Sequence, residues 1–313
     1  MAGTIVNAVS YAAMRIPLAF ASILAACSGS SSSSSSGDDG PDASVTADAP
    51  PGGAAAPVLP APSGTCPALA ACDVTFAPAG IPPRKVKLAL DPAAASANGE
   101  LVIYWHATGS SPAEAGSALG TTLQAITARG GIVATPYSYD AAGQFEWFIV
   151  NNSPKLDDFL VADEIVACLA AAHRIDVRHI HSMGMSAGGL QTTAVSFTRA
   201  RYIASVATFS GGMPSGFNPP NQEPANKFAA LIFDGGASDN VFGVDFKAAS
   251  EAYQATLTAS GHFARLCDHG NGHMIPLDAA PSVAAFFTAN GFGAWPSPFE
   301  AGLPSTFPTY CTH

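Results

Sequence analysis

The protein has 313 residues, a net charge of −10 at pH 7 and a charged fraction of only 12%, whereas 48% of its residues are hydrophobic. Since acidic residues outnumber basic ones and no basic cluster is present, nucleic acid is not an expected partner. The hydrophobic content favours a compact body with a sizeable core.

The first 26 residues are predicted to be a lipoprotein-type signal peptide. Arg15 precedes the apolar run IPLAFASILAA, which is too short to remain in a bilayer as a permanent transmembrane helix. The tetrad Leu24-Ala25-Ala26-Cys27 resembles the bacterial lipobox, in which the cysteine is acylated. We therefore expect an exported protein, either a bacterial outer-membrane lipoprotein or an extracellular protein, whose membrane contact is the lipid on Cys27 alone.

Residues 27–63 are predicted to be a flexible linker. A run of serines is followed by proline, alanine, glycine and aspartate, a composition with too little apolar surface to offset the entropy lost on ordering. The remaining residues, 64–313, suit one large domain of roughly 250 residues. We expect this domain to be a monomer.

The cysteines of an exported domain are expected to form disulfides. Five remain besides the one assigned to lipid, which is an odd number. We expect Cys66 to pair with Cys72 and Cys267 to pair with Cys311, so that Cys168 stays a buried thiol on a helix. No pair has the spacing of a zinc site, so no metal is expected.

Within residues 64–313, short β-like runs alternate with longer segments of helical composition. The predicted strands are 85–90, 101–107, 131–137, 177–184, 202–210, 228–235 and 262–269. The predicted helices are 113–128, 155–173, 187–199, 244–260 and 279–290. This alternation is typical of an α/β protein with a mostly parallel sheet and helices on both faces. Ligands of such sheets bind beyond the carboxyl ends of the strands, where we therefore look for the site.

The sequence Gly184-Met185-Ser186-Ala187-Gly188 stands between the predicted strand 177–184 and the helix that follows it. Glycines on both sides of the serine allow a sharp turn and a close approach of strand and helix, which exposes the hydroxyl. Ser186 is therefore the predicted nucleophile. The start of the helix leaves backbone N–H groups unpaired, so the N–H of Ala187 is predicted to face a developing oxyanion.

A serine nucleophile needs a base, and the base needs an orienting carboxylate. Asp239 lies in a glycine-rich loop after the strand 228–235 and is the predicted acid, with Asp234 as the alternative. His273 lies at the tip of a loop before a helix that starts with proline. A loop imidazole can reach between the serine and the aspartate, so His273 is the predicted base, whereas His269 is expected to have a structural or supporting role.

Two further strand ends carry candidate residues for binding the substrate. The small residues after His106 allow close backbone approach, so the N–H of Thr108, or else that of Ala107, is the predicted second oxyanion donor. His106 precedes the serine in the chain, which is the wrong order for the base. We expect His106 and Tyr137 to contact the substrate instead.

Together these residues resemble the α/β-hydrolase fold and, within it, the secreted poly(3-hydroxybutyrate) depolymerase and feruloyl esterase-like group. The resemblance is carried by His106-Ala107-Thr108-Gly109, by the serine pentapeptide, by the Asp239 loop, by Gly272-His273 and by FEWFIVNNSPKLDDFLVADEIVACL at 145–169. It implies hydrolysis of carboxylic esters through an acyl-serine, without a metal or organic cofactor. The resemblance also places Trp147 in the wall of the substrate site.

The substrate implied by this resemblance is an ester, either a hydroxyalkanoate-like polyester or a feruloyl or acetyl group linked to a polysaccharide. Two departures from the group's pattern are present: Ala107 stands where glycine is usual, and no polymer-binding module is apparent. A serine peptidase or an acyltransferase of the same fold is an alternative. A catalytically inactive binding protein tethered at the cell surface is another.

Overall fold

The computed structural model describes residues 56–217, 219 and 226–311. The predicted signal peptide, the lipid site at Cys27 and the predicted linker up to residue 55 lie outside the described residues.

The end of the predicted linker contacts the folded body. The N–H of Val58 donates to the carbonyl of Arg201 at 2.9 Å. The hydroxyl of Ser63 donates to the carboxylate of Glu164 at 2.6 Å, and its N–H donates to the same oxygen at 2.8 Å. Contacts with the body therefore begin before residue 64, the expected start of the domain.

In the part of the chain that the structure describes, eight strands form one sheet and two short strands form a separate hairpin. In chain order the strands are β1 (Asp73–Phe76), β2 (Arg84–Ala89), β3 (Leu101–Trp105), β4 (Ile132–Pro136), β5 (Ile180–Met185), β6 (Ser205–Phe209), β7 (Ala229–Asp234), β8 (Asn240–Val241), β9 (Val244–Asp245) and β10 (Phe263–Asp268). The sheet has the order β1-β2-β4-β3-β5-β6-β7-β10, and β8 pairs with β9. The six neighbouring strands β4, β3, β5, β6, β7 and β10 run parallel to one another, whereas β2 is antiparallel to both of its neighbours.

The predicted α/β architecture with a mostly parallel sheet is confirmed, and all seven predicted strands are present. Strand β1 was not predicted. It has only four residues, and its polar residues, Asp73 and Thr75, alternate with apolar ones in a stretch too short to stand out. The hairpin of β8 and β9 was not predicted either, because its strands have two residues each.

Six α-helices in the described residues cover the sheet. They are α1 (Glu114–Leu119), α2 (Thr121–Ala128), α3 (Asp157–Ala171), α4 (Ala187–Thr198), α5 (Phe246–Ala259) and α6 (Ala280–Ala289). The prediction of one helix over 113–128 is wrong, since Gly120 with φ 52° divides it into α1 and α2. In the described part of the chain, no helix combines the length and apolar content needed to cross a bilayer.

The two faces of the sheet pack against different helices. In β3 the side chains of Leu101, Ile103 and Trp105 join the cluster that contains residues of α3, α4 and α5. The side chains of Val102 and Tyr104 join the cluster that contains residues of α1, α2 and α6. This alternation follows from the two-residue period of a strand and leaves β3 buried on both faces.

The predicted pairing of Cys267 with Cys311 is confirmed, whereas the other predicted pairing is wrong. Cys66 bonds to Cys168, with their Cα atoms 5.4 Å apart and a separation of 102 positions in sequence, and Cys72 takes part in neither disulfide. The chain before Cys66 lies along α3, where Glu164 accepts hydrogen bonds from the N–H groups of Ser63 and Gly64. This contact places Cys66 beside Cys168, one helical turn after Glu164.

Candidate active site

Ser186 occupies a sharp turn between β5 and α4. Its backbone has φ 56° and ψ −119°, a conformation that residues with side chains rarely adopt, and its N–H donates to the carbonyl of Phe209 at 2.9 Å. A Cβ atom on Gly188 would lie 1.9 Å from the carbonyl oxygen of Trp105, and one on Gly184 would lie 2.4 Å from the carbonyl oxygen of Gly188. Only glycine permits this close approach, which is the reason for the flanking glycines.

The side chains of Ser186, His273 and Asp239 form a hydrogen-bonded chain. Nε2 of His273 lies 2.9 Å from Oγ of Ser186, and Nδ1 of His273 lies 2.7 Å from Oδ1 of Asp239. The three residues come from the ends of β5, β7 and β10, which lie at the same edge of the sheet. The structure thus brings together the nucleophile, acid and base predicted from the sequence.

Backbone packing and one aromatic ring hold the loop of His273 in place. The N–H of Gly272 donates to the carbonyl of Gly235 at 2.9 Å, and a Cβ atom on Gly235 would lie 1.9 Å from the carbonyl oxygen of Gly272. The ring of Phe246, at the start of α5, lies 4.7 Å from the imidazole, centroid to centroid. The loop is therefore held by the residue that follows β7, and the imidazole packs on the first residue of α5.

Asp239 is buried and fully hydrogen-bonded. Its Oδ2 accepts hydrogen bonds from the hydroxyl of Ser210 and from the N–H of Gly235, both at 2.8 Å, while Oδ1 faces His273. Burial by itself would raise the pKa of this carboxyl, but the hydrogen bonds from His273, Gly235 and Ser210 outweigh it and lower the pKa. The carboxylate therefore remains ionised beside the imidazole. Ser210 directly follows β6, at the strand ends where the site is expected, but the sequence does not indicate its contact with Asp239.

Asp234, the alternative acid, and His269, the residue expected to be structural, make no hydrogen bond to Ser186 or His273. Asp234 accepts a hydrogen bond from the N–H of Gly236 through Oδ1, and its buried Oδ2 has no hydrogen-bond partner among the described residues. Burial raises its pKa to about 6, with the Gly236 hydrogen bond opposing this and the nearby Asp268 charge adding to it. His269 is buried, and its Nδ1 accepts from the N–H of Asn271 at 3.2 Å.

We expect the Asp234→Asn variant to be more stable than the wild type at pH 7.5 but not at pH 4.5. Because the pKa of Asp234 is about 6 in the folded protein and near 3.8 when unfolded, the folded wild type loses stability as the pH rises between these values. The neutral amide avoids this loss, which is on the order of 2 kcal/mol. Urea unfolding of both proteins at the two pH values measures it, and a difference independent of pH would contradict the prediction.

The two residues predicted to supply the oxyanion donors, Ala187 and Thr108, line the same cleft as Ser186. Ala187 is the first residue of α4, and within the described residues its N–H has no hydrogen-bond acceptor. The N–H of Ala107 donates to Glu114 and that of Gly109 donates to Glu146, both at 3.0 Å, whereas the N–H of Thr108 between them has no acceptor in the same described part. Of the two residues considered for the second donor, Thr108 is thus the one left available.

Two clefts meet at Ser186. The first is an apolar cleft of about 240 Å³. Its lining consists of Thr108, Phe145, Val150, Asn152, Ser186, Ala187, Leu190, Pro214, Ser215, Gly216, Phe217, Val241, Phe242, Val244 and Phe246. The second, which we call the histidine-side cleft, has a volume of about 420 Å³. Its lining consists of Ala107, Thr108, Gly109, Ser110, Glu114, Met185, Ser186, Val241, Phe242, His273 and Ile275.

Comparison with known proteins gives structural relatives but no sequence match. No protein-family model and no curated protein matches the sequence. The native structure of pOPH is similar with a TM-score of 0.61 and 14% identity, over 80% of this chain and 99% of that one. A thermostable esterase is similar with a TM-score of 0.54 and 15% identity, over 70% and 62% of the two chains. A fungal esterase from Rhizomucor miehei is similar with a TM-score of 0.51 and 13% identity, over 72% and 85%.

The chain has the α/β-hydrolase fold. The serine turn follows β5, a central strand of the sheet. At identities of 13–15%, these structural likenesses concern the fold alone.

The linings of the two clefts at Ser186 do not include the three residues expected to contact the substrate. Trp147 is fully buried: its indole N–H donates to the carbonyl of His106 at 3.0 Å and its ring packs on Trp105 at 5.0 Å. The imidazole of His106 is buried as well, with Nδ1 3.3 Å from Glu146. Tyr137 lies near the edge of the sheet, where its hydroxyl donates to Asp73. The described geometry gives no support to these three expectations. For His106 and Tyr137, position after a strand does not determine which way a side chain points, and for Trp147 the resemblance identifies a segment and not the direction of each ring.

Three other aromatic residues, Phe145, Phe217 and Phe242, line the apolar cleft. Phe145 lies two residues before Trp147 in the same segment. The segment predicted to line the substrate site does so, but through Phe145, whereas Trp147 is buried in the core. The buried carboxylate of Asp158 anchors this segment by accepting the N–H of Phe148 at 2.7 Å. Phe217 and Phe242 lie in loops without a periodic pattern, and no signal in the sequence distinguishes them from other loop aromatics.

Proposed function

We propose that this protein is a serine carboxylic ester hydrolase that acts through an acyl-enzyme. The observation that carries the proposal is the hydrogen-bonded chain from Ser186 Oγ to His273 to Asp239, at 2.9 and 2.7 Å. These distances match those of an activated serine nucleophile. The esterases among the structural relatives support the same chemistry.

The mechanism proceeds in two halves. Ser186 Oγ attacks the ester carbonyl carbon while Nε2 of His273 takes the hydroxyl proton, and Asp239 stabilises the resulting imidazolium. The N–H groups of Ala187 and Thr108 stabilise the oxyanion. The imidazolium then gives its proton to the leaving alcohol, and a water molecule repeats these steps on the acyl-serine to release the acid. No metal or organic cofactor is needed.

The two clefts take the two parts of the ester. Since His273 must reach the leaving oxygen, the alcohol part belongs in the histidine-side cleft, which that residue lines. The acyl part then belongs in the apolar cleft, which Ala187 and Leu190 line and whose small volume suits a short acyl group. A polyester or a polysaccharide-linked ester would enter with one acyl unit in this cleft and the rest of the polymer outside.

The proposal includes an exported monomer with a lipid on Cys27. The lipobox-like Leu24-Ala25-Ala26-Cys27 supports the lipid, and the two disulfides support export, because disulfides persist in oxidising compartments.

A fluorophosphonate probe and a panel of substrates test the proposed function. We expect the probe to label Ser186, as identified by peptide mass spectrometry, and p-nitrophenyl acetate and butyrate to be hydrolysed. Peptide and thioester substrates in the same panel separate an esterase from a peptidase or acyltransferase. Absence of both labelling and ester hydrolysis in the folded protein would favour a catalytically inactive binding protein.

A further inference from the structure

The tip of the hairpin formed by β8 and β9 has an unusual residue. Val241 pairs with Val244, so Phe242 and Gly243 form a two-residue turn, and both have positive φ, 53° and 76°. Such turns strongly favour asparagine, aspartate and glycine, because a bulky side chain is strained in the left-handed region. Phenylalanine is therefore an unfavourable choice for the local backbone.

Burial does not offset this strain. The side chain of Phe242 is 66% exposed, so most of its surface remains in water. Its described aromatic contact is with Phe145, at 5.6 Å between ring centroids in an edge-to-face arrangement, and Phe145 itself lines the apolar cleft. Strained residues that bring no compensating burial are found where function requires them.

The hairpin is fixed directly to the catalytic machinery. Asp239 precedes β8, and its backbone carbonyl accepts the N–H of Phe246, the residue that follows β9, at 2.9 Å. Phe246 in turn packs on the imidazole of His273. The base of the hairpin is therefore anchored beside the catalytic residues, and its tip residue Phe242 lines the clefts at Ser186.

Phe242 belongs to both clefts. Among the described residues, the two linings share Thr108, Ser186, Val241 and Phe242. Thr108 and Ser186 face the reacting carbonyl in the proposed mechanism, and Phe242 is the largest and most exposed apolar side chain of the four. An ester whose carbonyl lies at Ser186 and whose two parts occupy the two clefts would pass beneath this ring.

We propose that Phe242 is a specificity-determining residue, which contacts the substrate on both sides of the ester bond and selects esters with apolar acyl and apolar alcohol groups. This inference rests on the proposed esterase function. The backbone strain at Phe242 is maintained for the contact with substrate and not for the stability of the fold.

The test uses the Phe242→Asn variant of the full protein with four esters: p-nitrophenyl butyrate, p-nitrophenyl acetate, ethyl butyrate and ethyl acetate. For each ester, kcat/KM of the variant is divided by that of the wild type, which cancels the intrinsic reactivity of the ester. We expect a loss of about tenfold for p-nitrophenyl butyrate, about threefold for the two esters with one large group, and little change for ethyl acetate. The loss should lie in KM, because Phe242 does not touch the reacting atoms.

The unfolding temperature gives a second readout. Since asparagine is favoured in this turn, we expect the variant to unfold at the wild-type temperature or higher. The Leu277→Asn variant is the matched control: Leu277 is 91% exposed and lines neither cleft, so all four ratios should stay near one.

The outcomes separate this inference from the proposed function. An active wild type combined with an equal loss of activity on all four esters in Phe242→Asn, or with a lower unfolding temperature of that variant, would overturn the role of Phe242 alone. A folded wild type that hydrolyses none of the four esters would overturn the esterase function and this inference with it.

Discussion

The Ser186→Ala variant should hydrolyse p-nitrophenyl butyrate at least about 10⁴-fold more slowly than the wild type, with kcat carrying the loss. Removal of the hydroxyl leaves the imidazole of His273 without the group that it activates, 2.9 Å away, so no acyl-enzyme can form. Steady-state kinetics measure the change, and the fluorophosphonate label should disappear from the same variant.

Folding of this variant should be unaffected, and urea unfolding checks that point. Ser305→Ala provides a matched control, since Ser305 is an exposed serine in the C-terminal segment and lines neither cleft at Ser186. It should keep wild-type kinetics and labelling. A Ser186→Ala variant with wild-type turnover would show that another residue is the nucleophile.

Replacement of Asp239 by asparagine should lower kcat by about 10³- to 10⁴-fold. In the wild type, Oδ1 accepts a hydrogen bond from the N–H at Nδ1 of His273, which leaves Nε2 unprotonated and able to take the proton of Ser186. An amide N–H in that place favours the other tautomer, in which Nε2 carries the proton and cannot act as the base. A pH–rate profile should show that the loss persists across the neutral range.

Asp234→Asn is the matched control for the acid. Asp234 lies five residues earlier at the end of β7 and makes no hydrogen bond to His273, so its variant should keep kcat within about threefold. The reverse pattern, with loss of activity in Asp234→Asn and retention in Asp239→Asn, would assign the orienting carboxylate to Asp234.

The sequence by itself determined the features that depend on neighbouring residues. The alternation of strands and helices predicts seven of the eight sheet strands, since a buried parallel strand and a helix differ in length and pattern over a few residues. The turn at Ser186 follows from Gly184 and Gly188, because the close approach that needs glycine occurs within five residues. The sequence also predicts the loops that carry Asp239 and His273, because glycines follow the strands before them.

Only the tertiary structure decided the features that depend on distant contacts. Cys168 pairs with Cys66 because the chain just before Cys66 lies along α3. The spacing of the cysteines in the sequence does not predict this arrangement. Trp147 points into the core and Phe145 into the cleft, although both are aromatic residues of one irregular segment with no period to indicate direction. The pattern of apolar residues in a segment predicts its secondary structure. The direction of a loop side chain depends instead on the residues that pack around it, which are distant in sequence.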